Sequence, residues 1–176
     1  MTKFLFKLGV ILLLAGLVGF ATYKLTDRAA VVDITNEIQG IVAPWFDPFT
    51  AKFLTDGGKE GIHAWHSSLN PQYPVPLSIQ FKRAVSLKRI GFQCQYGNIG
   101  LLDRAPKTVQ IYAGEDSEHL QKFGGILTLD FSSSGQWIFR DLPSGKKHVY
   151  YRIDILSNRG NVTYLTVQEL KFFGRD

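Results

Sequence analysis

From Pro76 to Gly97 the chain reads PLSIQFKRAVSLKRIGFQCQYG, with apolar side chains at Leu77, Ile79 and Phe81, then Val85 and Leu87, then Ile90 and Phe92. A period of two places alternate residues on opposite faces of a strand, so the stretch predicts two paired strands, PLSIQFKR and VSLKRIGFQCQYG, each with one face buried. Five more stretches of the same character follow: KTVQIYAG, GILTLDF, GQWIFRDL, HVYYRIDILSN and TYLTVQELKFFG. Turn clusters separate them at Gly97-Asn98, Gly114 to Ser117, Gly124-Gly125, Ser132 to Gly135, Pro143-Ser144-Gly145 and Asn158 to Asn161. No helical pattern of crossover length intervenes, so the predicted architecture is all-β, an antiparallel β-sandwich.

Upstream the pattern changes. MTKFLFKLGVILLLAGLVGFATYKL carries an uninterrupted apolar run from Leu8 to Ala21 between Lys7 and Lys24. Taken from Phe4 to Leu25 it is long enough to span a bilayer, with the lysines reaching back to the head groups. The expectation for residues 1–25 is therefore a single-pass transmembrane anchor, amino terminus cytoplasmic, with the remaining chain extracytoplasmic, whether periplasmic or extracellular. Gly19-Phe20-Ala21 also offers small residues where a signal peptidase would cut, which leaves open a secreted protein. In DRAAVVDITNEIQGIVA, Val31, Ile34, Ile38, Ile41 and Val42 fall on one helical face, so residues 26–49 are expected to hold a short amphipathic helix ending before Pro44. An aromatic, proline-bounded linker, PWFDPF, follows it. Residues 50–176 make up the sandwich.

The 176 residues suit one ordinary domain with an appendage, and 45% hydrophobic content argues against disorder. The net charge of +5 is scattered, with no basic run of the kind that tracks a phosphate backbone, so nucleic acid is not an expected partner. Cys94 is the one cysteine, which excludes an intrachain disulfide and suits a small buried hydrophobe.

FLTDGGKEGIHAWHSS, Phe53 to Ser68, concentrates an acid, glycines, two histidines and a tryptophan. His63 and His66 would share a zinc ion only on a helix, which Gly57, Gly58 and Gly61 disfavour. Asp56, His66 and Ser67 resemble a hydrolase set on paper, but no nucleophile-elbow pattern surrounds Ser67. Phosphate loops, dinucleotide loops and paired zinc cysteines are missing as well, so no catalytic residue is expected.

Taken together, four stretches resemble the discoidin, or coagulation-factor type C, domains, part of the galactose-binding-like jelly rolls that include many bacterial carbohydrate-binding modules. They are the Asp-Gly turn leading to Trp65, the paired strands of PLSIQFKRAVSLKRIGF, RAPKTVQIYAGED, and the closing pair HVYYRIDILSN and VQELKFFG. The resemblance covers roughly residues 50 to 174. It implies a jelly-roll sandwich and, under the opening loop, a structural Ca2+ held partly by Asp56 and Glu169. The pattern departs from the family there: two additional residues precede Trp65, His63 stands where a threonine ligand is usual, and Lys59 could supply the positive charge that a metal otherwise would. The resemblance further implies a glycan site on rim loops, for which the candidates are His66 (or Trp65), Tyr96, Asn98, Arg104, Asn158 and Arg159.

The expected function is thus a non-catalytic, membrane-anchored recognition module that binds a partner protein or a glycan. Two alternatives stand beside it: an accessory subunit whose helix packs into a larger membrane complex, and a secreted carbohydrate-binding lectin.

Overall fold

The computed structural model describes residues 30–44, 50–58, 63–95 and 99–175. The expectations for residues 1–25, for Trp45 and Phe46 in the linker, for Lys59 in the opening loop, and for Tyr96 and Asn98 at the rim lie outside the described residues.

The alternation that opens at Leu77 does not make two strands but one. β4, Val75–Gln93, runs through both layers of a sandwich. Its first part pairs antiparallel with β2 (Ile38–Val42) on one side and with β9 (His148–Asn158) on the other. Its second part pairs with β11 (Glu169–Arg175) and β8 (Trp137–Asp141). Regular pairing with β9 lapses between Gln80 and Val85, where the strand passes from one sheet to the other.

One sheet therefore runs β1-β11-β4-β8, with β1 being Val32–Asp33. The second runs β2-β4-β9-β5, where β5 is Pro106–Gly114 and its outer edge carries the short β6 (Gln121–Lys122) and β7 (Leu127–Thr128). A separate ribbon joins β3 (Trp65–His66) to β10 (Thr166–Val167).

Between the sheets lie Leu77, Ile79, Phe81, Val109, Ile111, Ile153 and Ile155 from one face and Ile90, Phe92, Ile138, Leu170 and Phe172 from the other, all buried. Phe81 sits at the centre, meeting the rings of Tyr151 and Phe172 edge-on at 5.7 Å each. Edge-to-face contacts of this kind add to the area term that drives sandwich packing. Cys94 is fully buried, as the sequence implies.

The amphipathic helix expected over residues 26–49 is overturned. Val32–Asp33 and Ile38–Val42 are strands, joined by a single 3-10 turn at Thr35–Glu37. Both sheets offer an open edge here, and β-branched residues favour an edge they can pair with over a helix that restricts their side chains. Local hydrogen bonds fix the step between sheets. The Asp33 carboxylate accepts from the Thr35 amide at 2.9 Å, and the Phe172 amide donates to the Thr35 hydroxyl at 3.0 Å. The spacing of Ile34, Ile38 and Ile41 is that of two β edges and a turn.

The membrane topology is corrected with it. Among the described residues no helix is long and apolar enough to cross a membrane. The single-pass anchor, the cytoplasmic amino terminus and extracytoplasmic sandwich, the membrane partner and the reading as a subunit of a membrane complex therefore have no supporting element among the described residues.

Candidate functional site

β3 presents Trp65 and His66 to opposite sides. Trp65 is fully buried, whereas His66 is half-buried. His66 is directly opposite Thr166 in β10, and its Nδ1 lies 3.1 Å from the Thr166 hydroxyl. With Nδ1 engaged there, Nε2 is the ring nitrogen left for another partner. Burial, and then the positive charge of Arg104, hold the imidazole below its ordinary value, so the ring is neutral at pH 7.

Tyr164, two residues before Thr166, stands on the same side of the ribbon. Its ring meets His66 edge-on at 6.4 Å, and the Arg104 guanidinium lies over it at 5.0 Å from the centroid. Arg104 closes a 3-10 turn, Ile99–Arg104, and among the described residues it has no carboxylate partner. The arrangement is a cation–π pair with an imidazole at the ring's edge.

The turn after β9 positions this group. Asn158 Nδ2 donates to the carbonyls of Asn161 at 2.6 Å and Tyr164 at 3.0 Å, while its Oδ1 accepts from Gly160. Asn161 in turn accepts from the Tyr164 amide at 2.8 Å and donates to Asp103 at 2.8 Å. Both amide side chains are thus committed to shaping the turn, and Asn158 holds Tyr164 in place rather than facing outward. Arg159 is tied to the same site through its backbone amide, which donates to the carbonyls of Asp103 and Ala105, and its side chain is exposed. A second phenol, Tyr73, rests against the Asn158 backbone with its ionisation pushed up by burial. Sequence reasoning passed over both tyrosines. The pairing of β3 with β10 reveals Tyr164 but joins residues far apart in the chain, and Tyr73 sits in an irregular loop.

Ser67 is no nucleophile here. It is buried, its hydroxyl donates to the Ser68 carbonyl at 2.9 Å, and it accepts from the Leu165 amide at 3.1 Å. Asp56 is engaged with His63 instead, at 3.2 Å.

Asp56 and Glu169 lie at one corner, joined through the Gly57–Gly58 turn. The Gly57 amide donates to Glu169 Oε1 at 3.0 Å and the Gly58 amide to Asp56 Oδ1 at 2.8 Å. Glu169 is buried, and desolvation, followed by the nearby Asp56 charge, pushes its carboxyl up to about 7 against the pull of the Gly57 hydrogen bond and Lys171. The remaining donors are nitrogen. Gln168, fully buried, donates through Nε2 to the carbonyls of Gly58 at 3.2 Å and His63 at 3.0 Å. Calcium takes six to eight oxygen ligands, whereas the described residues bring an amide nitrogen and an imidazole here beside the carboxyl groups. Among the described residues no group of three histidine, cysteine or acidic side chains is placed to hold a metal.

The fold is that of the discoidin-type jelly rolls. The chain is similar to CBM32-3 of a family 31 glycoside hydrolase from Clostridium perfringens, with 18% identity and a TM-score of 0.64 over 82% of this chain and 95% of that one. It is similar to the F5/8 type C domain of a Bacteroides fragilis protein, with 14% identity and a TM-score of 0.65 over 84% and 97%. It is similar also to CBM32-5 of a Clostridium perfringens family 89 glycoside hydrolase, solved in complex with GalNAc-β-1,3-galactose, with 16% identity and a TM-score of 0.64 over 80% and 99%. No family model and no curated protein matches the chain.

Proposed function

We propose that the chain is a non-catalytic carbohydrate-binding module, a lectin, whose ligand is a galactose-type sugar seated on the His66, Arg104 and Tyr164 rim. The observation that carries this reading is the convergence of a neutral imidazole and a guanidinium on one aromatic ring. Sugars ask for such a mixture: hydroxyls take hydrogen bonds from Arg104 and His66 Nε2, and a C–H face packs on a ring. The sugar class rests on the solved domains of this fold that hold galactose or GalNAc. Catalysis has no support at this rim, because the neighbouring serine is committed to the backbone.

The test is titration of the full chain with galactose, GalNAc and, as a control, glucose, followed by amide and side-chain NMR shifts. Saturable shifts at His66, Arg104, Tyr164 and Tyr73 with the first two sugars are expected. Flat spectra through tens of millimolar of all three, which by affinity arithmetic excludes even a weak sugar complex, would sink the reading.

A further inference from the structure

The corner at Asp56 and Glu169 contains a group that the sugar-binding reading does not use. Gln168 sits between β10 and β11; its backbone amide donates to the Gln93 carbonyl at 2.9 Å, and its side chain is fully enclosed. The side-chain amide spans the opening turn, bonding the carbonyls of Gly58 and His63 at 3.2 and 3.0 Å. Its orientation is fixed by chemistry, because the flipped amide would set an oxygen against two carbonyl oxygens.

Among the described residues, three carboxyl oxygens at the corner also have nitrogen partners. Glu169 accepts from Gly57, Asp56 Oδ1 from Gly58, and Asp56 Oδ2 lies 3.2 Å from His63 Nδ1. The turn closes tightly around these bonds: a Cβ at Gly58 would come within 2.5 Å of His63 Cβ and 2.9 Å of Asp56 Oδ1, so only glycine fits. Two carbonyls and two carboxyl groups drawn together in this way repel one another unless something positive stands between them. A bound cation is one solution, and a buried N–H2 is another.

We propose that the Gln168 side-chain amide takes the place of a metal ion at this corner, so that the opening turn is docked on β11 without any cation. Its two N–H groups neutralise the carbonyls that a cation would gather, and the Gly57, Gly58 and His63 nitrogens do the same for the carboxylates. The inference is independent of the sugar rim, which lies on the β3–β10 ribbon and shares none of these bonds.

Thermal unfolding of the full chain tests it in two arms. The unmodified protein should melt at the same temperature, within about 1 °C, in millimolar chelator and in millimolar calcium chloride, since a ligand that binds only the folded state raises the midpoint. Gln168→Met keeps the volume and removes both donors, and should lower the midpoint by roughly 5 °C, because two half-buried carbonyls lose their partners. A midpoint several degrees higher in calcium than in chelator for the unmodified protein overturns the proposal. So does a Q168M protein that melts with the parent. Should Q168M fail to fold, the calcium arm alone decides.

Discussion

The Arg104 guanidinium lies 5.0 Å from the centre of the Tyr164 ring, and His66 meets the same ring edge-on at 6.4 Å. Neither contact involves the sandwich core, so the three side chains can be changed without opening it. Arg104→Ala and His66→Ala are each expected to weaken galactose binding roughly tenfold or more, the loss of a hydrogen bond with a charged or oriented donor. Arg104→Lys should recover little, since an ammonium cannot reproduce the planar fork on the ring. Tyr164→Phe keeps the ring face and should bind nearly as the parent does. NMR titration reads affinity, and melting separates binding loss from unfolding; parent-like affinity in both alanine variants would move the site elsewhere.

The environment of His66 also sets a pH dependence. Burial and Arg104 hold its folded-state value below the ordinary 6.5, so the unfolded chain takes up the proton first. Stability contributed by the neutral ring is fully present above 6.5 and declines as pH falls through 6.5 toward the lower folded value. Protonation would place a second positive charge beside Arg104, the opposite of what the packing favours. His66→Asn, which cannot titrate, should show a shallower loss of melting temperature between pH 7 and pH 5 than the parent. Parallel curves for the two proteins would mean that His66 is no more buried than a surface histidine.

Period-two alternation was a sound guide wherever strands have one buried face, as at Leu77, Ile79 and Phe81 in β4 and at Ile153 and Ile155 in β9. It could not show that β4 is continuous, because passage between sheets is decided by which neighbours pair with each half. Residues 31–42 misled for a related reason. Two short edge strands around a 3-10 turn reproduce a helical spacing, and only the open edges of β11 and β4 distinguish the two. At the rim, the histidine, the arginine and the asparagine turn were legible as residue types suited to a site. Tyr164 was not, since its partnership with His66 depends on a pairing across the fold. Gln168 was hidden by its chemistry: a glutamine in a strand reads as outward-facing, and here it is fully buried because two carbonyls need its N–H groups.

Tyr151 ties together the two halves of β4. Its hydroxyl donates to the Val85 carbonyl at 2.8 Å and accepts from the Leu87 amide at 3.4 Å, just beyond the point where pairing with β9 lapses. Tyr151→Phe leaves that carbonyl buried without a donor and should cost about 1–3 kcal/mol, read by chemical denaturation. Desolvation chiefly raises the phenol from 10.0 to about 12. The folded chain then holds the proton longer than the unfolded one, so this contribution to stability is present below pH 10 and is lost as pH rises from 10 toward 12. The phenylalanine variant should lack that alkaline decline. An unchanged denaturation midpoint in Y151F would show that the crossover is held by packing alone.

The sharpest consequence of the Gln168 arrangement is that one atom exchange should change what the corner requires. Gln168→Glu puts a carboxylate against the carbonyls of Gly58 and His63, beside Asp56 and Glu169. Three carboxylates and two carbonyls then meet with too few N–H groups to balance them, which is costly when buried and is the kind of oxygen cluster that takes calcium. In chelator the variant should melt well below both the parent and Q168M, because it adds repulsion to the loss of donors. In millimolar calcium it should regain part of that difference, by about 1.4 kcal/mol when calcium stands at ten times its dissociation constant. Magnesium should restore less, since its small octahedral shell fits flexible carbonyl clusters poorly. Calcium titration of Q168E by calorimetry, with the unmodified chain as the blank, reads the new site directly. A variant as stable as the parent in chelator, or one that calcium leaves unmoved, would show that the amide is not standing where a cation could.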